Sequence, residues 1–219
     1  MRIDNLHIWI LHYTPLTERK SSMIEQLEKT NLNYTFIENY DREVLKESDI
    51  EKFSILRPNQ CSLILKNIEA MKRIQKSKSN YNLILEDDVI LCEDFCIRLE
   101  KALTELPPHF DMLFIGDGYG VHIPSKYIKP NKNIYEKSRE PTEWGGNGGT
   151  RCTDSVLISK ICCKRIVMVF EQSKQKSINL AIDWWINEVI RKLKLEIFWM
   201  EPTITKQGSQ IGKYLSTQK

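Results

Sequence analysis

The stretch Tyr81-Asn82-Leu83-Ile84-Leu85-Glu86-Asp87-Asp88-Val89-Ile90-Leu91 limits what this chain can fold into more than any other. Leu83 to Leu85 and Val89 to Leu91 are short apolar runs with β-branched character, and Glu86, Asp87 and Asp88 stand undiluted between them. A strand that ends in this way places like charges at a sheet edge, where they repel one another. A cation among the side chains relieves that repulsion. Carboxylate, water and phosphate oxygens are the ligands of hard divalent ions such as Mg²⁺ and Mn²⁺. At the carboxyl end of a strand in an open α/β sheet, such an ion faces the crevice where ligands bind. The tripeptide therefore reads either as an anchor for a metal and a substrate diphosphate, or as a solvated acidic turn after a buried strand.

The surrounding pattern is α/β. Leu6 to Leu11 is nearly all apolar, as a strand buried on both faces should be. Thr17 reads as the N-cap of a helix to about Thr30 with a Met23, Ile24 and Leu27 stripe, and Leu32 to Ile37 follows as a second strand. This is the spacing of a parallel crossover unit. Asp41 to Phe53 reads as partly helical, and Pro58 opens a helix to about Gln75. After the acidic strand come a helix from Asp94 to Leu106, stopped by Pro107-Pro108, and an apolar strand from Asp111 to Ile115. A strand from Asp154 to Ser159, helices from Lys160 to Phe170 and from Ile182 to Leu193, and a strand from Leu195 to Met200 complete the alternation. The expectation is one domain over residues 1–219, with a mixed, mostly parallel sheet flanked by helices.

Two segments stand apart. Val121 to Thr150 reads as a long irregular loop that closes on Trp144-Gly145-Gly146-Asn147-Gly148-Gly149. Such loops are commonly functional, and these glycines provide either a flexible lid or close backbone approach to a ligand. No Gly-x-Gly-x-x-Gly or phosphate-loop signature is present. Gln207 to Lys219 reads as a polar tail.

Composition excludes several classes. The 219 residues are 41% hydrophobic, ample for a core, and 32 basic against 29 acidic residues give a net charge of +3. That is too mild for a dedicated nucleic-acid binder, and it tolerates an anionic substrate or peripheral contact with a membrane surface. No stretch is long enough to span a membrane, and Leu6 to Leu11 is too short for a signal peptide, so a cytoplasmic setting is expected. None of the six cysteines forms a Cys-x-x-Cys pair, which fits reduced thiols.

The order of the pieces resembles glycosyltransferase family 25, the group of lipooligosaccharide galactosyltransferases and collagen galactosyltransferase domains. The likeness runs through the first strand with Thr17-Glu18-Arg19-Lys20, then Leu85-Glu86-Asp87-Asp88-Val89, then Phe110-Asp111-Met112-Leu113-Phe114-Ile115-Gly116. It continues with Asp154-Ser155-Val156-Leu157-Ile158-Ser159, with Asp183, and with Pro202, Gln207 and Ser209. One departure is clear: Leu65-Lys66 stands where the family often carries Ser-His, so the role of that histidine is lost or taken by Lys66.

The resemblance implies the A-type glycosyltransferase fold and inverting transfer of galactose or glucose from a UDP-sugar. The acceptor would be a glycan, a lipid-linked glycan or a protein. It implies Mn²⁺ or Mg²⁺, with Asp88 as a direct ligand and Glu86 second. Their alternate spacing on an extended strand would turn both to one side and Asp87 to the other, towards the sugar or a helix. Asp183 is the first candidate for the base and Asp154 the second; the plain alternatives are a helix-start acid and a turn acid. Arg19 is expected at the diphosphate, the loop Leu11, His12 and Tyr13 at the base and ribose, and Asp117 at the donor sugar. Trp144, Gly146 and Asn147 are expected at the acceptor. Trp184 and Trp185 are expected to split, one in the core and one near the site. Two competing functions remain. A nucleotidyltransferase or phosphohydrolase would need a second carboxylate cluster for a second metal. A non-catalytic nucleotide- or carbohydrate-binding relative would not need the acidic strand end at all.

Overall fold

The computed structural model describes residues 3–145 and 148–216. Gly146 and Asn147, two of the expected acceptor residues, lie outside the described residues. The elements are β1 (Leu6–Leu11), α1 (Thr17–Glu28), β2 (Asn33–Ile37), α2 (Glu47–Ile50), α3 (Pro58–Lys76), β3 (Tyr81–Glu86), β4 (Val89–Leu91) and α4 (Phe95–Glu105). Then follow β5 (Met112–Phe114), β6 (Ile134–Lys137), β7 (Ser155–Ile158), α5 (Lys160–Gln172), α6 (Ile182–Leu193), β8 (Ile197–Met200) and β9 (Thr205–Gln207).

Seven strands form one sheet in the order β2-β1-β3-β7-β5-β8-β6. β1 pairs in parallel with β2 and β3, and β5 with β8. β3 and β5 are both antiparallel to β7, so they share one direction, and β6 runs antiparallel to β8. The sheet is thus mixed and mostly parallel. β1 alternates between two cores. Leu6, Ile8 and Ile10 join Met23 and Leu27 of α1 and Phe95 and Leu99 of α4 on one face. Trp9 and Leu11 join α3, α5 and α6 on the other, through side chains such as Ile64, Ile166 and Ile186. Burial on both faces is what turned the strand sequences into near-continuous apolar runs.

Several boundaries differ from the sequence reading. Leu16, not Thr17, occupies the cap of α1, and its carbonyl accepts from Arg19 N at 3.0 Å and Lys20 N at 3.2 Å. The region 121–150 is not wholly irregular: β6 lies within it as an edge strand on β8. The tail is not loose either. β9 pairs with β4, Leu91 opposite Thr205 and Val89 opposite Gln207, in a separate two-stranded ribbon. The six cysteines are free thiols, with Cys162 and Cys163 fully buried in α5.

β2 and β3 lie on opposite sides of β1. The strand order therefore reverses there, and a crevice opens beyond the carboxyl ends of β1 and β3. Leu11 and Glu86 are paired at that edge. Because β7 is antiparallel, its start also lies there, and Glu86 N donates to the Asp154 carbonyl at 2.8 Å.

Candidate functional site

The crevice holds two chambers that share Glu86, Leu63, Gln207, Ser209 and Ser216. The smaller, about 70 Å³, is lined by Leu11, Tyr13, Arg19, Arg42, Lys66 and all of Glu86, Asp87 and Asp88. The larger, about 610 Å³, contains Asp154, Asp183, Cys152 and Thr153. Glu86 therefore lies on the boundary: the smaller chamber mixes three cations with three carboxylates, and the larger one carries Asp154 and Asp183 with no Arg or Lys in its lining.

Asp87 and Asp88 do not continue the strand; they form a turn between β3 and β4. The alternation argument for Glu86 and Asp88 thus fails at its second residue, and all three acids border the smaller chamber. Asp87 does face the other way, towards α1. Its Oδ2 accepts from His12 Nδ1 at 2.8 Å and Tyr13 N at 3.0 Å, and its Oδ1 from Arg19 at 2.9 Å. Burial works to raise the Asp87 pKa, but these bonds outweigh it and hold the group below the ordinary carboxylate value. Asp87 acts as a peg for the first loop. His12, fully buried, supports that peg and lines neither chamber. Tyr13 does line the smaller chamber, with the Arg42 guanidinium 4.6 Å from its ring centre.

Asp88 is nearly fully buried. Its Oδ2 accepts from Ser209 N at 3.3 Å and lies 3.8 Å from Arg19, while its Oδ1 has no hydrogen-bond partner among the described residues. Asp154 is equally buried; Ser155 Oγ donates to its Oδ2 at 2.8 Å, and its Oδ1 is also unpartnered. Burial, opposed by the Ser155 bond and reinforced by Asp183, Asp88 and Asp117, raises the Asp154 pKa to about 7. Burial and then Asp88, Asp154 and Asp183 push Glu86 well above its ordinary value. Asp183, in the first turn of α6, accepts from Thr153 Oγ1 at 2.9 Å, and burial raises it against that bond. Asp117 keeps a buried, unpartnered Oδ1 beside this group but lines neither chamber.

These carboxylates repel one another because little cationic charge stands among them. Oxygen-only donors with unpartnered buried atoms suit a hard divalent cation. Among the described residues, no three His, Cys, Asp or Glu side chains already form a metal cage.

Sequence reasoning named Lys66 and Trp144 without their partners, and it missed the strap and Arg151. Lys66 is buried and donates to Asp41 Oδ1 and the Asn39 carbonyl, both at 2.7 Å, while lining the smaller chamber. Burial lowers its pKa, with Asp41 opposing. Residues 208–216 cross the crevice as a strap: Gly208 N donates to the Asp88 carbonyl at 2.7 Å, and Arg19 donates to the Leu215 carbonyl at 2.5 Å and lies 5.3 Å from the Tyr214 ring centre. A Cβ on Gly208 would meet Asp88 O at 2.7 Å, so the glycine before Ser209 was the available signal. Arg151, fully buried, ties the loop to the Val121 carbonyl at 2.6 Å, the Met200 carbonyl at 2.8 Å and Glu201 at 2.6 Å. Finally, Trp144 lines neither chamber: it packs edge-on against Trp199 at 5.2 Å, with the Lys137 ammonium 5.2 Å from its ring centre. Trp184 and Trp185 do split, with Trp185 buried and Trp184 half-exposed beside Asp183.

No family model matches the sequence, and no curated protein matches it. Solved structures do match. A glycosyltransferase involved in the glycosylation of the major capsid of PBCV-1 is 10% identical, with 95% of this chain and 97% of that one covered at a TM-score of 0.50. This chain has a glycosyltransferase-like fold. The inositol-1-phosphate CTP transferase from T. maritima is 11% identical over 96% of this chain and 73% of that one, with a TM-score of 0.44. S. aureus TarS 1-349 in complex with UDP-GlcNAc is 11% identical over 99% of this chain and 62% of that one, also at 0.44. At these identities the likeness concerns the fold. No described helix is long and apolar enough to cross a membrane.

Proposed function

We propose that this protein is a metal-dependent, inverting glycosyltransferase of the family 25 type. It moves a hexose, galactose or glucose, from a UDP-sugar to a glycan, lipid-linked glycan or protein. The observation that carries the reading is the divided crevice: Glu86 borders both a chamber lined by Arg19, Arg42, Lys66, Asp87 and Asp88 and one lined by Asp154 and Asp183. The cations of the smaller chamber suit the diphosphate, and the larger chamber suits the reacting sugar. Mn²⁺ or Mg²⁺ on Asp88, with Glu86 second, would stabilise charge on the departing diphosphate as a Lewis acid.

The chain's own groups do the rest. Arg19 and Lys66 offset diphosphate charge, and Asp87 fixes Arg19 in place. The acceptor oxygen forms its bond to the anomeric carbon as the bond to the diphosphate breaks, and its proton passes to a carboxylate on the opposite side. Asp183 takes that proton, since it faces the open chamber; Asp154, sealed at its back by Gly116 and Ser155, is the second candidate. A base with a raised pKa is matched to a reaction near neutrality.

Thermal unfolding with UDP, with Mn²⁺ and with both tests the reading. Stabilisation by UDP should require Mn²⁺ and vanish in Asp88→Ala. No response to any nucleotide would refute it. Retained turnover in Asp183→Asn would move the base to Asp154.

A further inference from the structure

Trp184 stands apart from the other tryptophans. Trp9, Trp185 and Trp199 are buried and Trp144 is packed on Trp199, whereas Trp184 is 49% exposed. A lone exposed aromatic is ordinary. This one borders a recess of about 170 Å³, closed by Gly118, Gly145, Thr150 and Arg151. Asp183 and Cys152 line both the recess and the larger chamber, so the two spaces adjoin at these two residues.

Two polar side chains tie the walls together. Arg151 is fully buried and pinned to three backbone or carboxylate oxygens, and Asn187, one helical turn beyond Asp183, accepts from Thr150 N at 3.0 Å. A Cβ on Gly148 would meet Asn187 Oδ1 at 2.9 Å, so glycine lets that loop close on α6. A concave recess lined by a half-exposed tryptophan and by the polar residues Thr150, Arg151, Asp183 and Asn187 has the form of a small-molecule subsite.

We propose that this recess is the acceptor subsite and that its ligand is a single pyranose ring, the terminal sugar of a glycan. The inference rests on the transferase reading above. A pyranose has a face of C–H groups and a rim of hydroxyls. The electron-rich face of the Trp184 indole takes the C–H face, and Asp183 accepts from a rim hydroxyl. That hydroxyl becomes the nucleophile. A peptide hydroxyl offers the carboxylate the same proton but leaves the indole without a partner. Trp184 thus takes the place expected of Trp144, whose ring is already engaged by Trp199 and Lys137.

Saturation-transfer NMR with a panel of methyl hexopyranosides (galactoside, glucoside, mannoside, N-acetylglucosaminide) on the full chain tests this. At least one glycoside should receive saturation from the wild-type protein. Trp184→Ala should weaken that binding at least fivefold with its melting temperature unchanged, and Trp184→Phe should restore most of it. No binding to the wild type, or equal binding by Trp184→Ala, overturns the inference. The UDP and Mn²⁺ unfolding assay on the wild type reports separately on the donor reading. Stabilisation by UDP without any glycoside binding therefore refutes the subsite alone.

Discussion

Asp154→Asn should stabilise the metal-free protein at alkaline pH and leave it unchanged in acid. Asp154 is sealed in the sheet edge, and burial, with the neighbouring carboxylates, raises its pKa from 3.8 to about 7. The folded state therefore binds a proton more tightly than the unfolded chain. Stability from that proton is fully present below about pH 3.8 and is lost as the pH rises to about 7. At about 1.4 kcal/mol per pKa unit, the loss amounts to roughly 4 kcal/mol, a large share of the stability of an ordinary domain. Glu86 and Asp183 are raised as well and act with the same sign. Asparagine keeps the shape and never ionises, and it relieves the repulsion on Glu86. In urea with a chelator at pH 8, the variant's midpoint should lie higher by about 2 M, taking a slope of about 2 kcal/mol/M. At pH 4 the two midpoints should nearly coincide. An equal difference at both pH values, or a variant less stable at pH 8, would refute the account of the site as mutually repelling buried acids.

Arg19→Met should destabilise the fold by about 3 kcal/mol at pH 7, because it strands the buried Asp87 carboxylate. Asp87 is held below its ordinary value, so this deficit should shrink as the pH falls through that range, read by urea midpoints at pH 7 and pH 3. Gly145→Ala should cost at least about 2 kcal/mol, since Gly145 has φ +69° and its new Cβ would lie 2.2 Å from Trp199 Cη2; thermal unfolding measures it.

What could be read from the sequence was local. The apolar runs of β1 and β3 and the stripe along α3 carry their own periodicity, so the α/β class and most of the helices were evident. The acids of the strand end were evident for the same reason. β6 was not: Ile134 to Lys137 is four residues long, and its strand character comes from pairing with β8. The turn at Asp87 and Asp88 was hidden because an extended continuation into Val89 has the same pattern. Lys66 with Asp41, Arg151 with Glu201, and Arg19 with Leu215 join residues 25, 50 and 196 positions apart. No local window contains them. Trp144 and Trp184 look alike in sequence, and only the fold shows which ring is already covered.

The strap over the crevice has a thermodynamic consequence. Its residues wall both chambers, with Ser209 and Ser216 lining each of them, and Arg19 grips it through the Leu215 carbonyl. A ligand that takes Arg19 from Leu215 in the smaller chamber would release a contact of the wall of the larger one. Any resulting change in affinity must be mutual: whatever factor the first ligand confers on the second, the second confers on the first. Any two ligands of the two chambers are partners in one equilibrium, and a coupling between them runs through nine residues that look like a loose tail.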